Sequence, residues 1–78
     1  MKKTQKAPDW EATVKGLLKA ELKRRDVTYQ ELAEKLTAIG VPETAENIAN
    51  KISRGKFTAV FLIQCLDVIG CQTVRLGD

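Results

Sequence analysis

The sequence predicts an all-α domain of four main helices. Apolar residues recur at spacings of three and four, as one face of a helix requires. The 44% apolar share is almost wholly aliphatic, with aromatics at 5%, so the core has to be built from Leu, Ile, Val and Ala. Glycine and proline are scarce and stand largely between the periodic stretches, where they end helices. With 78 residues there is room for one domain and one core.

Residues 1–8, MKKTQKAP, read as a disordered basic arm. The helical domain spans 9–70. Asp9 is expected as the N-cap of the first helix, whose stripe of Trp10, Val14, Leu17, Leu18 and Leu22 runs to about Arg25. Trp10, the sole tryptophan, is expected to anchor the core and close one end of the bundle. Lys23, Arg24 and Arg25 complement the helix dipole at its C-terminal end. Thr28-Tyr29-Gln30-Glu31 opens the second helix as a capping box. Its buried face is Leu32, Ala33, Leu36 and Ile39. Gly40 ends it in a left-handed cap and Pro42 prevents resumption. Thr44 starts the third helix, with Ala45, Ile48, Ala49 and Ile52 inward and Gly55 as its stop. Phe57 is expected to plug the core between helices three and four.

Thr58 caps the fourth helix, with Leu62, Cys65, Leu66 and Ile69 as core stripe and Gly70 as its close. From Thr58 to Ile69 only Thr58, Gln64 and Asp67 are polar. A helix apolar nearly all round is central or covers a partner. Val60, Phe61, Ile63 and Val68 fall partly outside the stripe, and Val60, Phe61 and Val68 are expected at a dimer or partner interface. Residues 71–78 are expected to form an extended strap or a short strand, because CQTVRL alternates in polarity. Val74 would join the same interface.

Several function classes lack support. There is no histidine, no glycine-rich phosphate loop and no nucleophile–base pair, so the chain is not expected to be an enzyme. No cofactor and no small-molecule substrate is implied. Two cysteines without histidine do not complete a zinc site, so Cys65 and Cys71 are expected as reduced, partly buried thiols and no metal is expected. The basic start is not followed by an apolar signal region, and no run is long enough to cross a bilayer. The expectation is a cytoplasmic protein without a membrane partner.

The net charge of +3 is unevenly placed. Lys2, Lys3 and Lys6 account for it. The ten Lys and Arg that follow are matched by ten Asp and Glu, so the remainder is neutral. Within that remainder Asp26 to Glu46 is acidic, while Lys51, Arg54 and Lys56 form a run with no acid among them. This run overlaps ENIANKISRGKF, residues 46–57. Two asparagines and two cations on one exposed helical face can read base edges and hold phosphates.

Three phrases resemble the repressor-type helix-turn-helix domains of bacteria and phages, the lambda repressor/Cro-like fold. They are VTYQELAEKL at 27–36, ISRGKFT at 52–58 and FLIQCLDVIG at 61–70. The chain is also similar, over most of residues 10–76, to a family of small uncharacterised bacterial domains sharing LKAELKRR, LAEKL-x-x-IG and NKISRGKFT. The repressor resemblance implies a small transcriptional regulator that binds double-stranded DNA as a homodimer, with the third helix in the major groove. It places Asn47, Asn50 and Lys51, with Glu46 beside them, at base edges. It places Tyr29, Arg54 and Lys56 at phosphates. The link TAIGVPE is longer than the usual turn of that family, and Tyr29 stands where the family has Gln, so the resemblance is to a variant with a long turn. The rival reading is a protein-interaction module that uses helix four and the C-terminal strap.

Overall fold

The computed structural model describes residues 9–76. Four helices follow one another: α1 (Trp10–Arg24), α2 (Tyr29–Ala38), α3 (Ala45–Arg54) and α4 (Ala59–Val68). The expected all-α architecture is what the chain adopts.

Every helix starts on a side-chain cap. Asp9 Oδ1 accepts from the Ala12 amide at 3.0 Å, Thr44 Oγ1 from Asn47 at 3.1 Å and Thr58 Oγ1 from Phe61 at 3.0 Å. At α2 the capping box is complete: Thr28 Oγ1 accepts from Glu31 N, and Glu31 Oε1 accepts from Thr28 N at 2.9 Å. Each bond satisfies an amide that the first helical turn leaves without a partner.

Three helices end in one motif, written as Leu-x-x-x-Gly/Asp-apolar. After α2, Gly40 N donates to Thr37 O and Val41 N to Leu36 O. After α4, Gly70 N donates to Asp67 O and Cys71 N to Leu66 O. After α1, Asp26 N donates to Lys23 O and Val27 N to Leu22 O. These are Schellman closures: a left-handed residue turns the chain, and the next apolar residue folds back on the leucine of the last turn. Gly40 and Gly70 take the left-handed position at φ 87° and 82°. Asp26 takes it at φ 57° without being glycine.

α1 packs on α3 and α4, and α2 packs on α3 and α4. The backbones of the consecutive pairs α1–α2 and α3–α4 do not approach closely, and these pairs meet only through side chains in the shared core. The core at their crossing holds Leu18, Leu22, Leu32, Ala33, Leu36, Ile48, Ile52, Phe61, Cys65 and Leu66. All but Phe61 and Cys65 are aliphatic, as composition requires.

Four expectations are corrected. Trp10 does not close the bundle; it is 66% exposed. The first turn of α1 rests on the loop after α3 through Glu11, whose carbonyl lies against Gly55. Trp10, about 100° around the helix from Glu11, is left facing solvent. Phe61 is not on an outer face but buried in the core. It meets Phe57 edge-on at 5.4 Å, and the pair fills the space beside α3, as foreseen for Phe57 alone. Val68 is half-buried against the same core, whereas Val60 and Val74 are exposed as expected. No strand forms among the described residues. Residues 71–75 run without regular structure, and the strap ends with Arg75 and Leu76 beside Thr13, Leu17 and Arg24 of α1. A single short segment has no neighbour to pair with in a helical domain. Residues 1–8, and with them the basic arm, and residues 77–78 lie outside the described part.

Candidate functional site

The site is built on α3. Ile48 and Ile52 are fully buried and fix the helix on its core. At about 100° per residue, Asn47, Asn50 and Arg54 fall within an arc of about 60° on the opposite side. All three side chains are exposed, as is Glu46 next to them. Arg54 has no ion-pair partner among the described residues. The helix therefore presents two neutral amides and one free cation in a row. Thr44 at its start and the left-handed Gly55 at its end hold it in register.

Lys51 behaves differently. It lies between the exposed arc and the buried one, and its side chain bends toward the protein. Nζ sits 2.5 Å from Glu43 Oε2 and 4.6 Å above the centre of the Phe61 ring. Glu43 comes from the link before α3, and its side chain is only 7% exposed. Its second oxygen, Oε1, is buried with no hydrogen-bond partner among the described residues. A carboxylate this enclosed needs a counter-charge, and Lys51 supplies it. The cation also gains from the face of Phe61. In the sequence Glu43 is legible only as one acid in an acidic stretch. Residues eight apart across a loop–helix junction meet only if the turn brings them together, so no spacing signal announced the pair.

Beneath it lies Cys65, fully buried. Burial is the first cause pushing its thiol up to about 12. The nearby Glu43 charge adds to the rise, and Lys51 opposes it. Such a group is a neutral thiol, not a nucleophile. Cys71 is half-buried, and both cysteines are free. Among the described residues no three His, Cys, Asp or Glu side chains are grouped as a metal site needs.

The candidate phosphate contacts are dispersed. Tyr29 begins α2 half-buried, packed against the core. Lys56 is exposed in the loop after α3, with Nζ 3.7 Å from Glu11 Oε2. A further cation at this end was not foreseen: Lys15 Nζ donates to Ser53 O at 3.1 Å, covering a carbonyl of the last turn of α3. Lys15 and Lys56 thus tie α1 to the end of α3 and to its exit loop, through Ser53 and Glu11. A Cβ on Gly55 would stand 2.6 Å from Glu11 O, so the close approach of α1 to this loop requires glycine. Of the candidate interface side chains on α4, Val60 remains exposed, at 65%, and the neighbouring Ile63, outside that set, is exposed at 61%.

Fold and site together define a small all-α domain with one polar, solvent-facing helix and no grouping suited to metal chemistry among the described residues. The chain matches, over residues 10–74, the model of a family described as Domain of unknown function (DUF6471), and it belongs to that family. The comparison with curated proteins and that with solved structures each give no match. No described helix is long and apolar enough to cross a membrane.

Proposed function

We propose that this chain is a DNA-binding module of a small bacterial or phage-type regulator, a lambda repressor-like helix-turn-helix variant with a long turn that works as a homodimer. The observation that carries the reading is the exposed row Asn47, Asn50 and Arg54 on a helix anchored by Ile48 and Ile52. Asparagine is a poor helix former, so helix stability alone gives no reason for two of them here. Paired amides suit the donor and acceptor edge of adenine in the major groove. Arg54 and Lys56 beside them suit flanking phosphates, which hold register without reading sequence. Lys51 supports the face from behind, through Glu43. Because the charge beyond the arm balances, one copy binds weakly, and two copies or the arm supply useful affinity.

Fluorescence anisotropy with labelled random duplex DNA at two salt concentrations tests the reading. Binding that weakens with salt is expected. Arg54→Ala should reduce the salt slope by about 1, as loss of one phosphate contact does. The pair Asn47→Ala and Asn50→Ala should leave that slope alone and relax sequence preference. Absence of salt-dependent binding by the unaltered chain sinks the proposal.

The rival reading, a protein-interaction module using α4 and the strap, is favoured by one observation: Val60 and Ile63 are largely exposed one turn apart. Val60→Asp with Ile63→Asp would abolish partner or self-association and leave binding by a single copy to DNA unchanged.

A further inference from the structure

A second surface lies away from the α3 face. The backbones of α1 and α2 do not approach closely, and beside α1, where the link leads into the first turn of α2, lies an open groove of about 530 Å³. Buried Leu22 and half-buried Val27 and Tyr29 supply its apolar floor. Gly16 and Ala20, one turn apart on α1, line one side, and the exposed Lys19 and Lys23 stand on its rim.

Gly16 sits inside α1, where glycine is the poorest residue after proline. A Cβ added there would meet no atom within 4 Å. No contact among the described residues therefore calls for a glycine. A bare turn of helix beside an apolar groove does suit the close approach of a second helix.

Charge selects the occupant. Lys19 and Lys23 have no ion-pair partner among the described residues. A second copy docked face to face would set these lysines against their own counterparts. The arm, with Lys2, Lys3 and Lys6, carries the same sign and is no better suited. A phosphate backbone would match the lysines but leave the apolar floor uncovered. The neighbouring N-terminus of α2 also already carries a carboxylate, Glu31, which accepts from the Thr28 amide at 2.9 Å. We infer that the groove docks an amphipathic helix of a partner protein. Small or aliphatic residues of that helix lie on the floor, and two acidic side chains one turn apart meet Lys19 and Lys23. This surface is separate from the α3 face and does not rest on the DNA reading.

A displayed library of helical peptides, selected against the full chain, tests this. Enrichment of sequences with Asp or Glu at i and i+4 beside Ala, Leu or Val is expected. The leading peptide should shift amide resonances of Gly16–Tyr29 and leave those of α3 in place. Lys19→Glu with Lys23→Glu should lower its affinity at least tenfold and turn a repeated selection toward basic peptides. Gly16→Leu should also lower affinity at least tenfold while leaving the circular dichroism spectrum intact. Failure to enrich any family overturns the inference. So does enrichment indifferent to the charge reversal, or a peptide whose shifts map to α4. Displacement of the peptide by random duplex DNA, with the same resonances moving, would assign the groove to nucleic acid instead.

Discussion

Glu43 and Lys51 are joined across the start of α3, Nζ to Oε2 at 2.5 Å, with the carboxylate enclosed and the cation 44% exposed. The two residues are therefore not equivalent. Removing the cation leaves a buried charge with no compensation, while neutralising the carboxylate leaves a lysine that can turn to water. Lys51→Met should cost about 2 kcal/mol, below the ~3–5 kcal/mol of a fully buried pair because the lysine is partly solvated. Glu43→Gln should cost less than half as much. The double variant Glu43→Leu with Lys51→Met should recover most of the loss. Urea unfolding of the native chain and the three variants measures this. Equal losses from the two single changes would show that the pair is not asymmetric.

Asp26 stands where the other two Schellman closures have glycine. A left-handed L-residue is strained, and aspartate only partly escapes that strain. Asp26→Gly should stabilise the fold by about 0.5–1 kcal/mol, which raises Tm by roughly 2–8 °C in a domain of this size. The converse change, Gly40→Ala, should cost about 1 kcal/mol, although a Cβ there meets nothing within 4 Å. Thermal melts of both variants check that conformation, not crowding, sets these signs.

Gly55 shares the left-handed backbone, at φ 69°, but its Cβ would also strike the Glu11 carbonyl. Strain and overpacking then add, and Gly55→Ala should cost about 3 kcal/mol. The side effect is specific. α1 must move off the end of α3, breaking the bond from Lys15 to Ser53 and parting Lys56 from Glu11. A loss no larger than that of Gly40→Ala, measured under the same conditions, would mean that the loop gives way freely.

The ends of the helices are legible in the sequence because each is written in a few adjacent residues: Thr28 with Glu31, Thr44, Thr58, and a glycine after three of the helices. The rotation of α4 is not. With apolar residues on nearly every side, spacing cannot say whether Phe61 or Leu62 points to the centre, and the decision falls to Phe57 and the Lys51 cation, which Phe61 meets in space. Trp10 misleads for a related reason. It continues the helical stripe, but the stripe outruns the helices available to cover it. On α3 the polar arc is legible because Ile48 and Ile52 define its opposite. That Lys51 leaves the arc for Glu43 depends on the path of the link, which no local pattern encodes.

Cys65 makes stability depend on pH in the alkaline range. Its thiol rises from an ordinary 9.0 to about 12, chiefly through burial. The folded state therefore holds the proton more tightly than the unfolded one. This contribution is complete below pH 9 and is lost as pH rises from there toward 12. Urea midpoints of the native chain should fall across that window, and part of the fall should vanish in Cys65→Ala. In native protein at about pH 8, just below the ordinary thiol pKa, Ellman's reagent should modify Cys71 well before Cys65. Simultaneous modification would mean that Cys65 is reached without unfolding.

The Glu43–Lys51 pair also bears on DNA binding, if α3 is the reading helix. A lysine held by a carboxylate beneath the surface releases no counterion when DNA arrives, so it adds little to the salt dependence of binding. Lys51→Met should then leave the slope of log K against log salt nearly unchanged, whatever it does to stability. Glu43→Gln frees the cation at the edge of the Asn47–Arg54 row. It should steepen the slope by about 1 and tighten binding several-fold at low salt. Glu43 would on this view be the residue that keeps a neutral-amide face from becoming a general phosphate binder, trading affinity for discrimination. Anisotropy titrations of both variants over a range of salt concentrations decide it. A slope that falls by about 1 in Lys51→Met would place the lysine on a phosphate and refute the assignment.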